Sequence, residues 1–176
     1  MKSWRTAALI SSSAAALTLF GYVAARAADG PAAKATIESK SGSTVTGTAT
    51  FMELATGGVK VHVHIEHAPP GMHGLHIHEK GDCSDAEAKN AGGHFNPDNM
   101  PHAGPKDMKR HAGDLGNIEI KPDGSGDLDL TSDMITVKAG TNSVVGRAVV
   151  FHEKADDLTT QPTGNAGGRL GCGVIQ

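Results

Sequence analysis

Aromatic residues are nearly missing from this chain. Among 176 residues there are one Trp, one Tyr and four Phe. Trp4, Phe20 and Tyr22 all fall in the first 27 positions, so a domain built from the rest must have an aliphatic core around Phe51, Phe95 and Phe151. Basic charge is short as well. Beyond residue 27 there are 13 Lys and Arg against 19 Asp and Glu, a net charge of −6. That balance argues against nucleic acid or an anionic membrane as partner. No second long apolar run follows the N-terminus, and no segment carries a convincing helical stripe, so neither a membrane bundle nor an α fold is expected. Cysteine is limited to Cys83 and Cys172.

The first 27 residues read as a secretory signal peptide. Lys2 and Arg5 give the positive start, residues 7–25 are mostly small and apolar, and Ala25-Arg26-Ala27 is an A-x-A cleavage pattern. The segment is short for a membrane anchor and is interrupted by Ser11, Ser12, Ser13 and Gly21. Removal leaves residues 28–176, a length that suits one domain with its own core. The product is expected to be soluble, free of the membrane, and periplasmic or secreted. In such a compartment an even count of two cysteines favours a disulfide over two free thiols.

What remains reads as all-β. Residues 45–51 alternate Val45, Gly47, Ala49 and Phe51 with Thr46, Thr48 and Thr50. Residues 60–66 set Val61, Val63 and Ile65 against His62, His64 and Glu66. Residues 117–121 and 127–130 repeat the period of two, with Pro122-Asp123-Gly124-Ser125-Gly126 as the turn between them. Residues 144–152 form a longer run, apolar on both faces. Short strands at this spacing suggest a sandwich or closed barrel.

The region from His94 to Asp114 is different. It holds His94, His102, His111 and Asp114 among three prolines and two glycines, so a regular helix or strand is not expected. Three imidazoles and a carboxylate are a ligand set that zinc accepts, and a metal could order such a loop. A second group lies on strand ends: His76-Ile77-His78, whose imidazoles share a face, and His152 at the end of the 144–152 run. Imidazole-rich sites suit copper and zinc.

These motifs resemble the copper/zinc superoxide dismutases, and the bacterial secreted branch in particular. The resemblance rests on Met72-His73-Gly74-Leu75-His76-Ile77-His78-Glu79, Gly92-Gly93-His94-Phe95-Asn96-Pro97 and Arg110-His111-Ala112-Gly113-Asp114-Leu115-Gly116-Asn117. His152-Glu153-Lys154-Ala155-Asp156-Asp157 and the segment from Gly164 to Ile175 complete it. It implies an eight-stranded antiparallel Greek-key barrel or sandwich with long metal-binding and active-site loops. The implied activity is dismutation of superoxide to dioxygen and hydrogen peroxide, by alternate reduction and reoxidation of a histidine-bound copper. One structural zinc per subunit would share a bridging histidine with one copper. The implied copper ligands are His76, His78, His94 and His152. The implied zinc ligands are His94, His102, His111 and Asp114. Asp156 would hydrogen-bond His76 and His102, Arg169 would attract and position the anion, and Cys83 would pair with Cys172.

Other histidines fall outside this set. His62 and His64 read as a solvated strand face, His67 as a strand end or loop, and His73 as a structural position. One departure from many eukaryotic relatives is the short segment 158–163, which lacks their charged insert and leaves open which charges steer superoxide; Lys154 is a candidate beside Arg169. The subunit is expected to be a monomer or a homodimer. Competing functions are a periplasmic copper- or zinc-binding protein without turnover, a copper-only dismutase and a metallochaperone. Arg169 together with His152 opposes the first, the zinc set opposes the second, and the complete copper set opposes the third.

Overall fold

In the computed structural model residues 30–176 and Met1 are described, so the export signal expected over residues 1–27 lies almost wholly outside the described residues. Eight strands follow in order: β1 (Ala32–Ser39), β2 (Thr46–Glu53), β3 (Val59–Glu66), β4 (Gly71–His78), β5 (Asp114–Ile120), β6 (Gly126–Ser132), β7 (Ala148–His152) and β8 (Arg169–Val174). All pair antiparallel, in the spatial order β5-β4-β7-β8-β1-β2-β3-β6. The edge strands β5 and β6 lie against each other, so the sheet is a nearly closed barrel. The pairing of β3 with β6 and of β4 with β7 gives the Greek-key connections. Among the described residues there is no α-helix, only a short 3-10 turn at Lys89–Ala91.

Alternation dictates this arrangement. β3 turns Val59, Val61, Val63 and Ile65 inward and leaves Lys60, His62, His64 and Glu66 outside. Phe51, Phe95 and Phe151 are all buried, packed with Ile37, Ile65, Leu75, Ile77 and Ile118. Burying aliphatic and aromatic surface of this kind stabilises the fold by about 25 cal/mol per Å² removed from water.

The strands expected at 45–51, 60–66, 117–121 and 127–130 are present with small shifts of their ends. The 144–152 run is a strand only from Ala148 onward. Gly146 takes a φ of 81°, which breaks the extended path, and Val144 instead bonds Thr136 from a loop.

Beside the main core lies a second cluster of Ala88, Ala91, Ala148, Val150 and Cys172. It sits under the loop after β4, and the Cys83–Cys172 disulfide ties that loop to β8. Truncating the central ring of the larger core, Phe51→Ala, is expected to cost about 3–5 kcal/mol, read from the shift of the urea unfolding midpoint at unchanged slope.

Candidate metal centre

Three strand ends and one loop meet at a single end of the barrel. β4 delivers His76 and His78, β7 ends on His152, and the 94–114 loop brings His94, His102 and His111 before entering β5 at Asp114. The ladder is irregular at two of these points. Register shifts fall between Gly74 and His76 in the β4–β5 pair, and between Phe151 and His152 in the β7–β8 pair. Such bulges re-aim side chains, and here they turn His76 and His152 toward a common space. All six histidines and Asp114 are buried, none more than 6 % exposed.

Two convergent groups result. One ligand atom from each of His76, His78, His94 and His152 lies within 4.8 Å of the others, and the same holds for His94, His102, His111 and Asp114. His94 belongs to both. In the second group the atoms are known: Asp114 Oδ1 is 2.9 Å from His94 Nδ1, 3.0 Å from His102 Nδ1 and 3.3 Å from His111 Nδ1. His94 Nδ1 and His111 Nδ1 are 3.4 Å apart. A tetrahedral site with metal–nitrogen bonds of about 2.0–2.1 Å has edges of about 3.3 Å. Four donor atoms at these separations have the shape of a closed tetrahedral cage.

In the first group His78 Nε2 and His152 Nε2 face each other at 3.3 Å. Among the described residues only two buried side-chain nitrogens lack a hydrogen-bond partner, and both belong here: His76 Nδ1 and His94 Nε2. Buried polar atoms are nearly always satisfied. Two orphaned nitrogens beside a facing imidazole pair are the signature of atoms meant for a metal.

The outward nitrogens are held by the protein. Asp156 accepts from His76 Nε2 through Oδ2 at 2.8 Å and from His102 Nε2 through Oδ1 at 2.9 Å, joining the backs of the two groups. His78 Nδ1 donates to the Gly92 carbonyl at 2.9 Å. Each such bond fixes a tautomer and leaves the other nitrogen's lone pair facing inward. Gly164 lies directly behind the carboxylate bridge, where an added Cβ would stand 1.8 Å from Asp156 Oδ1, and its φ is +64°. Only glycine fits there.

The electrostatics favour ligands in their binding form. Burial, assisted by His152 and His94, pushes His78 well below its ordinary value. Burial likewise lowers His152 strongly. His94 is lowered to about 4, burial outweighing the opposing pull of Asp114. Near neutral pH these rings are uncharged and free to donate a lone pair. The opposite holds around Asp114. Burial would lower His102, yet the carboxylates of Asp114 and Asp156 push it up to about 9. Burial would raise Asp114, yet His102, His111 and His94 hold it far below the carboxylate range. That corner of the site calls for a cation.

A family model described as copper/zinc superoxide dismutase matches residues 45–175. The chain belongs to the copper/zinc superoxide dismutase family. The members of this family are oxidoreductases that bind copper and zinc, and the two donor sets fit both ions. Among solved structures, one described as a crystal structure of the clock protein EA4 is similar at 43% identity. That match covers 82% of this chain and 92% of that one, with a TM-score of 0.74.

Arg169 opens β8 close to this superoxide dismutase centre. Its Nη1 donates to the Ala88 carbonyl at 2.6 Å and its Nη2 to the Gly92 carbonyl at 2.7 Å. Gly92 thus accepts from both His78 and Arg169. His73 is kept apart from both groups, its nitrogens bonded to the His152 and Pro69 carbonyls at 2.9 Å each. His62, His64 and His67 lie away from the centre, on β3 and the turn after it.

Sequence reasoning missed the braces. Asn117 clamps the Asp156 backbone from both sides, at 2.7 and 2.8 Å. Gln161 clamps the His102 backbone in the same way, at 2.7 Å twice. Arg147 stacks over Phe95 at 3.5 Å and donates to the Glu79 carbonyl at 2.8 Å, bracing the neighbours of His94 and His78. A side chain that bonds a distant backbone carries no local sequence signal. Asp156→Asn removes one charge and one acceptor from the bridge between the groups. It is expected to weaken zinc binding by about 10–100-fold, measured by chelator competition.

Proposed function

We propose that this protein dismutates superoxide outside the cytoplasm, with copper at His76, His78, His94 and His152 and zinc at His94, His102, His111 and Asp114. The observation that carries the reading is the sharing of His94. Its Nδ1 belongs to the Asp114 cage, while its Nε2 is an orphaned nitrogen of the other group. Copper supplies a one-electron couple when bound, which zinc, having no redox chemistry, cannot.

The chain's own residues do the remaining work. Asp156 and the Gly92 carbonyl hold His76 and His78 in the tautomers that direct Nδ1 and Nε2 inward. His94 manages a proton. Two superoxide ions and two protons give one dioxygen and one hydrogen peroxide, and a proton held at His94 Nε2 lies where the second oxygen species is reduced. Water supplies the other proton. His94 Nδ1 and Asp114 would both hold the zinc, which would fix the ring while Nε2 is left to carry the proton. Arg169 uses two of its N–H groups to grip Ala88 and Gly92 and has donors left for an anion. With the exposed Lys154 it provides a local positive field on a chain that is negative overall.

The Cys83–Cys172 disulfide supports an oxidising compartment. We read residues 1–27 as the export signal and residues 28–176 as the mature domain.

Two variants test this. His152→Ala removes a copper ligand and no zinc ligand, so the purified protein is expected to keep zinc, lose copper and lose dismutation. Parent protein that is filled with both metals yet no faster than free copper ions would make this a binding protein without turnover. Arg169→Ala should keep both metals and lower kcat/KM by about 10-fold or more, with a weaker dependence on ionic strength.

A further inference from the structure

The barrel has one seam. β5 and β6 are the two ends of the strand order, and each pairs with a single neighbour. The turn between them holds one end together, where Lys121 N–H donates to the Ser125 carbonyl at 2.8 Å. Among the described residues no ladder joins the two strands beyond that turn. The pleat of β6 sends Asp127, Asp129 and Thr131 outward and Leu128 and Leu130 toward the core. Both leucines pack on the core, yet both are only half-buried. A paired neighbour on that edge would have covered them.

A groove of about 400 Å³ runs into the seam. Leu115, Leu128, Leu130 and Leu158 make it largely apolar. Pro105 lines it at the loop end, seated so closely on Gly116 that an added Cβ there would stand 2.9 Å from the proline ring. Its size and lining suit a small molecule. The charges around it are mostly of one sign, on a chain that is negative overall. Lys106 and Arg110 both line it. Arg110 is only 7% exposed, and it donates to the Asp107 carbonyl at 2.6 Å and to Asp133 Oδ1 at 2.9 Å. Those bonds use two of its five N–H groups. Among the described residues the Lys and Arg ion pairs are those of Lys89, Arg110, Lys121 and Lys138, so the exposed Lys106 has none. The one carboxylate in the lining, Asp114, is buried and engaged by three histidines. A small inorganic anion would leave the leucines bare, and an uncharged apolar molecule would leave the cations unanswered.

We propose that the β5–β6 seam binds one small amphipathic anion, an aliphatic carboxylate. Its tail lies on Leu115, Leu128, Leu130 and Leu158, and its head is met by Lys106 and Arg110. The site uses no donor atom of the metal centre, and it stands whether or not that centre turns over superoxide. The competing account is a solvated gap in the barrel with no ligand of its own.

The test titrates the protein, loaded with both metals, with octanoate, octanol and acetate in separate arms. Calorimetry gives affinity and stoichiometry, and NMR of the leucine methyls gives the place. One octanoate per chain is expected, shifting the methyls of Leu128 and Leu130, with octanol weaker and acetate not saturating. Lys106→Gln should weaken octanoate by about 3–5-fold and leave octanol unchanged. Leu158→Ala should weaken both by about 5–10-fold. Unchanged zinc content in both variants reports an intact fold. The site is overturned by a parent that shows no saturable octanoate binding, by octanol bound as tightly as octanoate, or by octanoate affinity that neither variant alters.

Discussion

A buried imidazole must satisfy two nitrogens at once, and this constraint organises the whole barrel end. In five of the six central histidines one nitrogen is engaged by the protein or by the Asp114 cage and the other looks into a shared space. Burial excludes water from these rings, so whatever meets the inward nitrogens must be a metal, another ring or the Asp114 carboxylate. Leaving them unmet costs about 1–3 kcal/mol per group. The cost explains why the donor atoms converge instead of dispersing: each ring's outer bond decides where its inner lone pair points.

The strands matter because they hold those outer bonds rigidly. A ligand on a loop alone would keep rotamer freedom, and a site that is loose by an ångström loses its geometry. His76, His78 and His152 stand on paired strands, with bulges correcting the direction of two of them. The 94–114 loop has no regular structure of its own, and it borrows rigidity from side chains that grip its backbone. Phe95 N–H donates to the Ile77 carbonyl at 2.8 Å, Ile77 N–H to the Gly113 carbonyl at 2.9 Å and Gly113 N–H to the Phe95 carbonyl at 2.9 Å, and Gln161 holds His102. An added Cβ on Gly113 would stand 2.2 Å from the Ile77 carbonyl, so the close approach of loop and strand requires glycine.

Much of this was legible in the sequence because its signals are local. Alternation placed β2, β3, β5 and β6, and the H-x-H at the end of β4 placed two donors on one face. β1 and β8 escaped notice. β1 buries only Ala33, Ala35 and Ile37, so its inward face carries little apolar contrast, and β8 contains Gly171 and Gly173 where side chains would mark a period. The clamps of Asn117 and Gln161 were hidden for another reason. They join residues 39 and 59 positions apart, and only the folded register brings them together. The same holds for Asp127 and Asp129. From sequence alone His62 and His64 looked like a plain solvated face, because the non-consecutive pairing of β3 with β6 supplies their partners.

The Gly92 carbonyl shows how few parts link the centre to its surroundings. It accepts from His78 Nδ1 and from Arg169 Nη2, so one oxygen fixes a metal-facing ring and the nearby cation relative to each other. That carbonyl sits on the loop that Cys83 tethers to Cys172, three residues beyond Arg169 on β8. Ala88, gripped by the same arginine, packs against Cys172 in the small second cluster. Any loosening of the tether therefore moves Gly92 and Ala88 together, and the arginine and the His78 ring lose their common reference at once. The placement of the Arg169 guanidinium and that of the His78 ring share one backbone reference. They are two consequences of where one short loop is pinned.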